Sequence, residues 1–196
     1  MGVFEGILSH LPEVKGPLQK KLPFKEKLKW SLIILIIFFV MGLIPLFGLG
    51  ENSLQQFEFL SIILGASFGS IISLGIGPIV TASIVLQLLS GTGILKLDLT
   101  TPEGKKRFQG LQKLSAIFFV LFEAAIYVFM GGLAPSPSVA GTAVFAQLQW
   151  ILVLQLVIGV ILIMFIDEVV SKWGFGSGIS LFIDAGVAQQ IFIRTF

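Results

Sequence analysis

From Phe59 to Leu95 the chain runs for thirty-seven residues without a charged side chain. As one straight helix, that run would reach roughly 55 Å at 1.5 Å per residue, well beyond the roughly 30 Å hydrocarbon core of a bilayer. Two complete spans and a turn need more residues than the run contains. Glycines at 65, 69, 75, 77, 91 and 93 and a proline at 78 puncture it. A broken apolar segment at membrane depth frees backbone N–H and C=O groups, which only protein neighbours or a water-filled cavity can satisfy. Such a segment points to a chain that lines a path for something that crosses, as in a channel or transporter.

The rest of the composition agrees with a membrane protein. The chain is 55% hydrophobic and 12% charged, against about 25% charged in soluble domains. It has no cysteine, which excludes disulfides and thiolate metal sites. The first thirty residues alternate charged and apolar groups without a compact apolar core before a cleavage site, so the first span is expected to act as its own insertion signal.

The expected fold is all-α, with a basic, amphipathic segment over 1–29 and a membrane domain over 30–196. Its spans are expected at about 30–49, a half-helix at 57–67 continuing into a helix over 75–93, then 114–130, 143–166 and an incomplete 179–196. Val3, Phe4, Ile7, Leu8, Leu11, Val14 and Leu18 follow a helical spacing suited to the membrane surface, interrupted at Pro12 and Pro17. The same pattern also suits a soluble helix packed on another subunit. Thr100-Thr101-Pro102-Glu103 has the makings of a helix start. Of thirteen Lys and Arg residues, six precede Trp30, five lie between Lys96 and Lys113, one is Lys172, and only Arg194 stands apart, toward the far end of the fifth span. These segments share a side if the broken run crosses once, and the positive-inside rule makes that side, with the N-terminus, cytoplasmic. The loops around Glu51 and Pro135 carry no Lys or Arg.

Gly65-Ala66-Ser67-Phe68-Gly69 matches the G-x-S-x-G nucleophile pattern, but that chemistry needs a base beside the serine. The only histidine is His10, on the wrong side of the membrane, and no HExxH, Walker A or dinucleotide motif is present. The chain reads as a non-enzyme without a cofactor or metal. Glu123 lies mid-span, where an ionisable group normally faces a cavity or a partner, or is neutralised against a neighbouring helix. Thr81 and Gln87 are cheaper polar groups that suit interhelical hydrogen bonds. Asp167, Glu168 and Lys172 at a helix end read as an exposed ion pair of little energetic weight. The aliphatic residues Ile76, Val80, Ile179 and Ile183 read as packing, except that they sit beside chain breaks.

Two long patterns resemble the SecY family of protein-conducting channels. One is Ser73-Leu74-Gly75-Ile76-Gly77-Pro78-Ile79-Val80-Thr81, continuing through Gln87 to Leu89. The other runs from Ile166-Asp167-Glu168 through Lys172-Trp173-Gly174-Phe175-Gly176-Ser177-Gly178-Ile179 to Ile183. Leu11-Pro12-Glu13, Phe24-Lys25-Glu26-Lys27-Leu28-Lys29-Trp30 and Phe108-Gln109-Gly110-Leu111-Gln112-Lys113-Leu114 are similar to the family's archaeal and eukaryotic branch. The resemblance covers essentially the whole chain but only the family's N-terminal half.

It implies a ten-span hourglass in two pseudosymmetric halves, hinged after the fifth span. By position, Ile76, Val80, Ile179 and Ile183 would form this half's share of an aliphatic pore ring. Ser61, Ile62, Ile63, Leu64, Gly65, Ala66 and Ser67 would form the plug. Thr81, Glu123 and Gln87 would belong to the lateral gate, with hydrogen bonding rather than obligatory charge the expected role of Glu123. The implied activity is passage of unfolded secretory polypeptide and lateral release of membrane segments, driven by a ribosome or motor. The implied partners are small SecE-type and accessory subunits, the C-terminal half of the channel, signal sequences and nascent chains, and membrane lipid. The implied location is the plasma membrane of an archaeal-type prokaryote. Half a ring and half a gate are not expected to conduct alone. The residues by themselves also leave open a secondary transporter using its broken helix for solute and Glu123 for coupling, or a non-catalytic assembly scaffold.

Overall fold

The computed structural model describes residues 13–17, 22–50, 69–95 and 101–195. Five helices account for most of them: α1 (Phe24–Leu43), α2 (Gly77–Gly91), α3 (Pro102–Phe129), α4 (Ala143–Trp173) and α5 (Gly178–Thr195), with a short 3-10 turn at Pro137–Val139. The expected half-helix at 57–67 and most of the N-terminal surface segment lie outside the described residues. Glu13 to Pro17 are described and have no regular structure.

Local chemistry shifts several boundaries from their expected places. Helix α1 begins at Phe24, because Pro23 supplies an extended cap residue (φ −63°, ψ 151°) and the lysines after it are good helix formers. It ends at Leu43, well before residue 49, because Pro45 forces Ile44 into extended backbone (φ −83°, ψ 108°). Helix α3 starts where the Thr-Pro-Glu sequence indicated. Thr101 Oγ1 accepts the Gly104 N–H at 3.1 Å, and Pro102 occupies the first turn. The basic stretch from Lys105 to Lys113 is therefore helical rather than looped. Helix α4 likewise runs on past Ile166 to Trp173.

Helix α4 is the centre of the bundle: α1, α3 and α5 all pack on it, α2 packs on α3, and α1 touches α5. Leu152, Leu156, Val160, Ile163 and Val170 of α4 are buried, a spacing that keeps one stripe of the helix inward. Phe38 of α1 stacks on Phe182 of α5 with ring centroids 4.7 Å apart. Outside, Ile36, Val40, Phe118, Leu121, Leu154 and Leu162 remain exposed, as a lipid-facing surface requires. Glu103–Phe129 and Ala143–Trp173 are long and apolar enough to cross a bilayer, by length and composition.

The break in the long apolar run folds back against α4. Ile71 N–H donates to Ile44 C=O at 2.9 Å and Leu46 N–H to Gly69 C=O at 2.8 Å, pairing the chain after α1 with the chain before α2. Gly69 and Gly75 take positive φ (85° and 56°), which an L side chain resists. Gly159 of α4 lies so close to the Ile71 carbonyl that a Cβ there would overlap the oxygen. Since that oxygen belongs to backbone, Gly159→Ala should destabilise the bundle by roughly 1–3 kcal/mol, the usual range for overpacking. A lowered midpoint in detergent thermal unfolding checks this; an unchanged midpoint contradicts the close approach.

Candidate functional site

Residues 69–76 end in the turn from which α2 rises. Ser70 and Ser73 are buried, yet their polar atoms bond within the turn: Ser73 Oγ donates to Ser70 C=O at 2.5 Å and Ile72 N–H donates to Ser70 Oγ at 3.3 Å. Ile76 is the cap residue of α2, and Pro78 sits in the first turn. Thr81 Oγ1 donates back to Gly77 C=O at 2.9 Å. Glu123 of α3 reaches the same place, since a Cβ on Gly77 would stand 3.7 Å from Glu123 Oε2. Thr81 and Glu123 thus converge on Gly77 at the N-terminal end of α2, where the helix dipole favours a carboxylate. Gln87 is exposed farther along α2. Sequence reasoning missed a polar link between these helices, from Gln112 Nε2 to Ser83 Oγ.

Helix α5 begins at an equally well-determined corner. Asp167 Oδ1 accepts the Ile179 N–H at 2.9 Å. A Cβ on Gly178 would lie 2.6 Å from Asp167 Oδ1, so glycine is what permits the approach. Asp167 is therefore not part of an exposed ion pair but a cap, satisfying an orphan donor at the start of α5.

Glu168 and Lys172 do pair, at 2.9 Å, but within a larger and partly buried network. Lys113 of α3 binds Glu168 at 2.8 Å, and Lys172 binds Glu13 at 2.9 Å. Lys172 also donates to Val14 C=O, and Trp173 Nε1 donates to Lys15 C=O at 3.0 Å. The hydrogen bond from Lys172 holds the Glu13 carboxyl below the usual carboxylate range. That tether is in place above the ordinary carboxylate pKa and is lost as pH falls through the lowered one.

Two ends of the bundle result. Glu13, Lys106, Lys113, Asp167 and Lys172 surround a cavity of about 710 Å³ at one end, with Ile79 and Ile179 among its apolar lining. At the other end of α3, Gly50 N–H donates to Ala134 C=O at 2.9 Å and Leu49 bridges Pro135. The segments rich in Lys thus meet one another, and the loops without Lys or Arg meet one another.

Of the four aliphatics singled out, Ile76 and Ile179 are partly buried against the core, Val80 is half-buried and Ile183 is 45% exposed. Helices α2 and α5 do not pack extensively on each other among the described residues. The segment Ser61 to Ser67 lies outside the described residues.

Comparison with known proteins supplies the context. The SecY sequence profile matches residues 70–196, and the profile for the plug domain of Sec61p matches residues 36–69. The chain belongs to the SecY family. The protein translocase subunit SecY of Methanothermobacter thermautotrophicus is 56% identical over 193 residues, covering 98% of this chain and 40% of that protein. Sec61 in a canine ribosome–channel complex from the endoplasmic reticulum is 42% identical with a TM-score of 0.80, covering 95% of this chain and 41% of that one. A SecY structure in which the plug domain stabilises the closed state and maintains a membrane seal is 43% identical with a TM-score of 0.81, covering 95% and 40%. This chain spans about 40% of the length of the SecY relative.

The corner at Asp167 generates a test. Asp167→Ala should cost about 1 kcal/mol, as loss of a helix cap usually does, and speed hydrogen exchange at the Ile179 amide. Asp167→Asn, which keeps the acceptor, should retain most of the protection. Equal protection in the Ala variant would show that the cap is not needed.

Proposed function

We propose that this chain supplies the N-terminal half of a passive channel for unfolded polypeptide, with lateral release of membrane segments. The observation that carries the reading is the chain's return over 69–76, tucked against α4 at Gly159 and turning into α2 at Gly77 and Pro78. A backbone so arranged suits a wall beside a path rather than a lipid-facing span. In this reading Ile76 and Val80 of α2, and Ile179 and Ile183 of α5, contribute to an apolar ring. Each pair is four residues apart, hence on one helical face. An apolar neck resists ions by dewetting, yet fits around chains of varied sequence because it makes no specific bonds.

Residues 61–67 act as the plug, and Thr81, Glu123 and Gln87 as one side of the lateral gate. The end bearing Glu13, Lys113 and Lys172 faces the cytoplasm, where a ribosome or motor supplies the polypeptide. SecE-type and accessory subunits and the C-terminal half complete the pore. The location is an archaeal-type plasma membrane.

Orientation is checked with single cysteines in the complete channel. Ser136→Cys should react with an impermeant reagent from outside intact cells, and Lys106→Cys only after permeabilisation. External reactivity at position 106 reverses the orientation.

The ring is checked by conductance across planar bilayers without translocating substrate. Replacing Ile76 and Val80 together with Ser should hydrate the neck and raise resting ion leak several-fold. Replacing the outward-facing Ile33 and Ile37 in the same way should not. Equal tightness in both double variants would reduce Ile76 and Val80 to packing residues.

A further inference from the structure

Gln155 lies about 18 Å along α4 from Ala143, at 1.5 Å per residue. The run from Ala143 to Ile166 contains no charged residue. Around it on the helix surface, Ile151, Leu154 and Ile158 are exposed, an apolar setting for a side-chain amide. Its amide makes a two-way clasp on a single residue of the loop after α1. Phe47 N–H donates to Gln155 Oε1 at 2.9 Å, and Gln155 Nε2 donates to Phe47 C=O at 3.1 Å. Each partner answers a need of the other: irregular backbone and a side-chain amide are both costly in an apolar medium when unpaired.

Phe47 is also the midpoint of a small frame. On one side Pro45 bridges Ser70, with Leu46 N–H bonded to Gly69 C=O; on the other Leu49 bridges Pro135, with Gly50 N–H bonded to Ala134 C=O. The chain leaves this frame after Gly50 and returns to it at Gly69. Both roots of residues 51–68 are therefore fixed to the loop that Gln155 holds, and α4 is the rigid element behind it.

We propose that Gln155 is a positioning residue for the channel's resting seal: its clasp on Phe47 fixes the frame from which the plug segment departs and to which it returns. This rests on the reading of residues 61–67 as the plug. A bidentate amide suits the task, because a single hydrogen bond leaves the loop free to pivot, whereas two bonds to one peptide residue set both its place and its orientation. Loosening the clasp lets the frame, and with it both roots of residues 51–68, shift relative to α4.

The test uses the full-length channel with its partner subunits. Gln155→Met keeps the shape of the side chain and removes both bonds. Gln155→Asn, one methylene shorter, keeps an amide but cannot reach both Phe47 groups, and serves if the Met variant folds poorly. Gln147→Met, at an exposed position on the same helix, is the control. Hydrogen exchange at the Phe47 amide should accelerate about tenfold or more in the Met and Asn variants, as loss of a hydrogen bond of ordinary strength implies. Resting ion conductance should rise several-fold in both variants and not in the control. In a channel lacking residues 61–67, already leaky, the Met substitution should add nothing. Unchanged Phe47 exchange overturns the clasp. Faster exchange with unchanged conductance, in a channel that the 61–67 deletion does make leaky, overturns the positioning role while leaving the plug reading intact. If the deletion itself causes no leak, the plug reading fails and the proposal with it.

Discussion

Everything in this chain follows from the cost of leaving peptide groups unpaired where there is no water. A helix pays that cost internally, but residues 44–50 and 69–76 are not helical, and Ser70, Ile72, Ser73 and Leu74 of the second stretch are buried. The structure meets the demand locally, by pairing the two irregular stretches with each other, and remotely, through Ala134 and Gln155. Without those partners the long apolar run could not break. Without the break, α2 would have no N-terminus inside the bundle for Thr81 and Glu123 to converge upon.

Helix α4 makes this arrangement possible because it combines opposed properties along one length. Its middle is small at Gly159, which admits a backbone carbonyl, and polar at Gln155, which holds a peptide. Its far end is charged at Asp167, Glu168 and Lys172, which hold α5, α3 and the 13–15 segment respectively. A 31-residue helix is about 46 Å long, so its last turns can extend beyond the hydrocarbon, where such charges are affordable. The ion network there couples the N-terminal segment to α3 through two acidic and two basic groups. It contributes less through any one exposed pair than by fixing which elements are neighbours.

Much of this was legible in the sequence, and the reasons differ from element to element. The start of α3 could be read because its signal is local: a threonine cap and a proline in the first turn act within four residues. The start of α2 was legible for a similar reason, since Gly77-Pro78 both ends one conformation and begins another. The end of α1 was as local a signal, in Pro45, but the apolar residues as far as Leu49 masked it. The roles of Asp167, Gly159 and Gln155 were not legible, because each depends on a partner distant in sequence. Asp167 resembles any carboxylate near a helix end until α5 folds back to place the Ile179 amide against it. Gln155 resembles an interhelical polar residue of no special kind, and its partner is a peptide group, which carries no side-chain signature at all.

The distribution of rigid and adaptable contacts also bears on the role proposed above. The contacts fixed by direction, namely the Asp167 cap, the Gln155 clasp and the Thr81 bond to Gly77 C=O, hold helix starts and the loop after α1. The aliphatic side chains of Ile76, Val80, Ile179 and Ile183, which carry no directional bonds, lie on or beside the first turns that those ends support. Hydrogen bonds lose most of their value once geometry degrades, whereas aliphatic contacts tolerate sliding and exchange of neighbours. In the role proposed above, a neck that admits chains of varied sequence gains nothing from directional bonds of its own. It does need its walls to be delivered to the same place each time. Directional bonding at the helix ends, with apolar surfaces between them, separates those two requirements within a single short stretch of backbone.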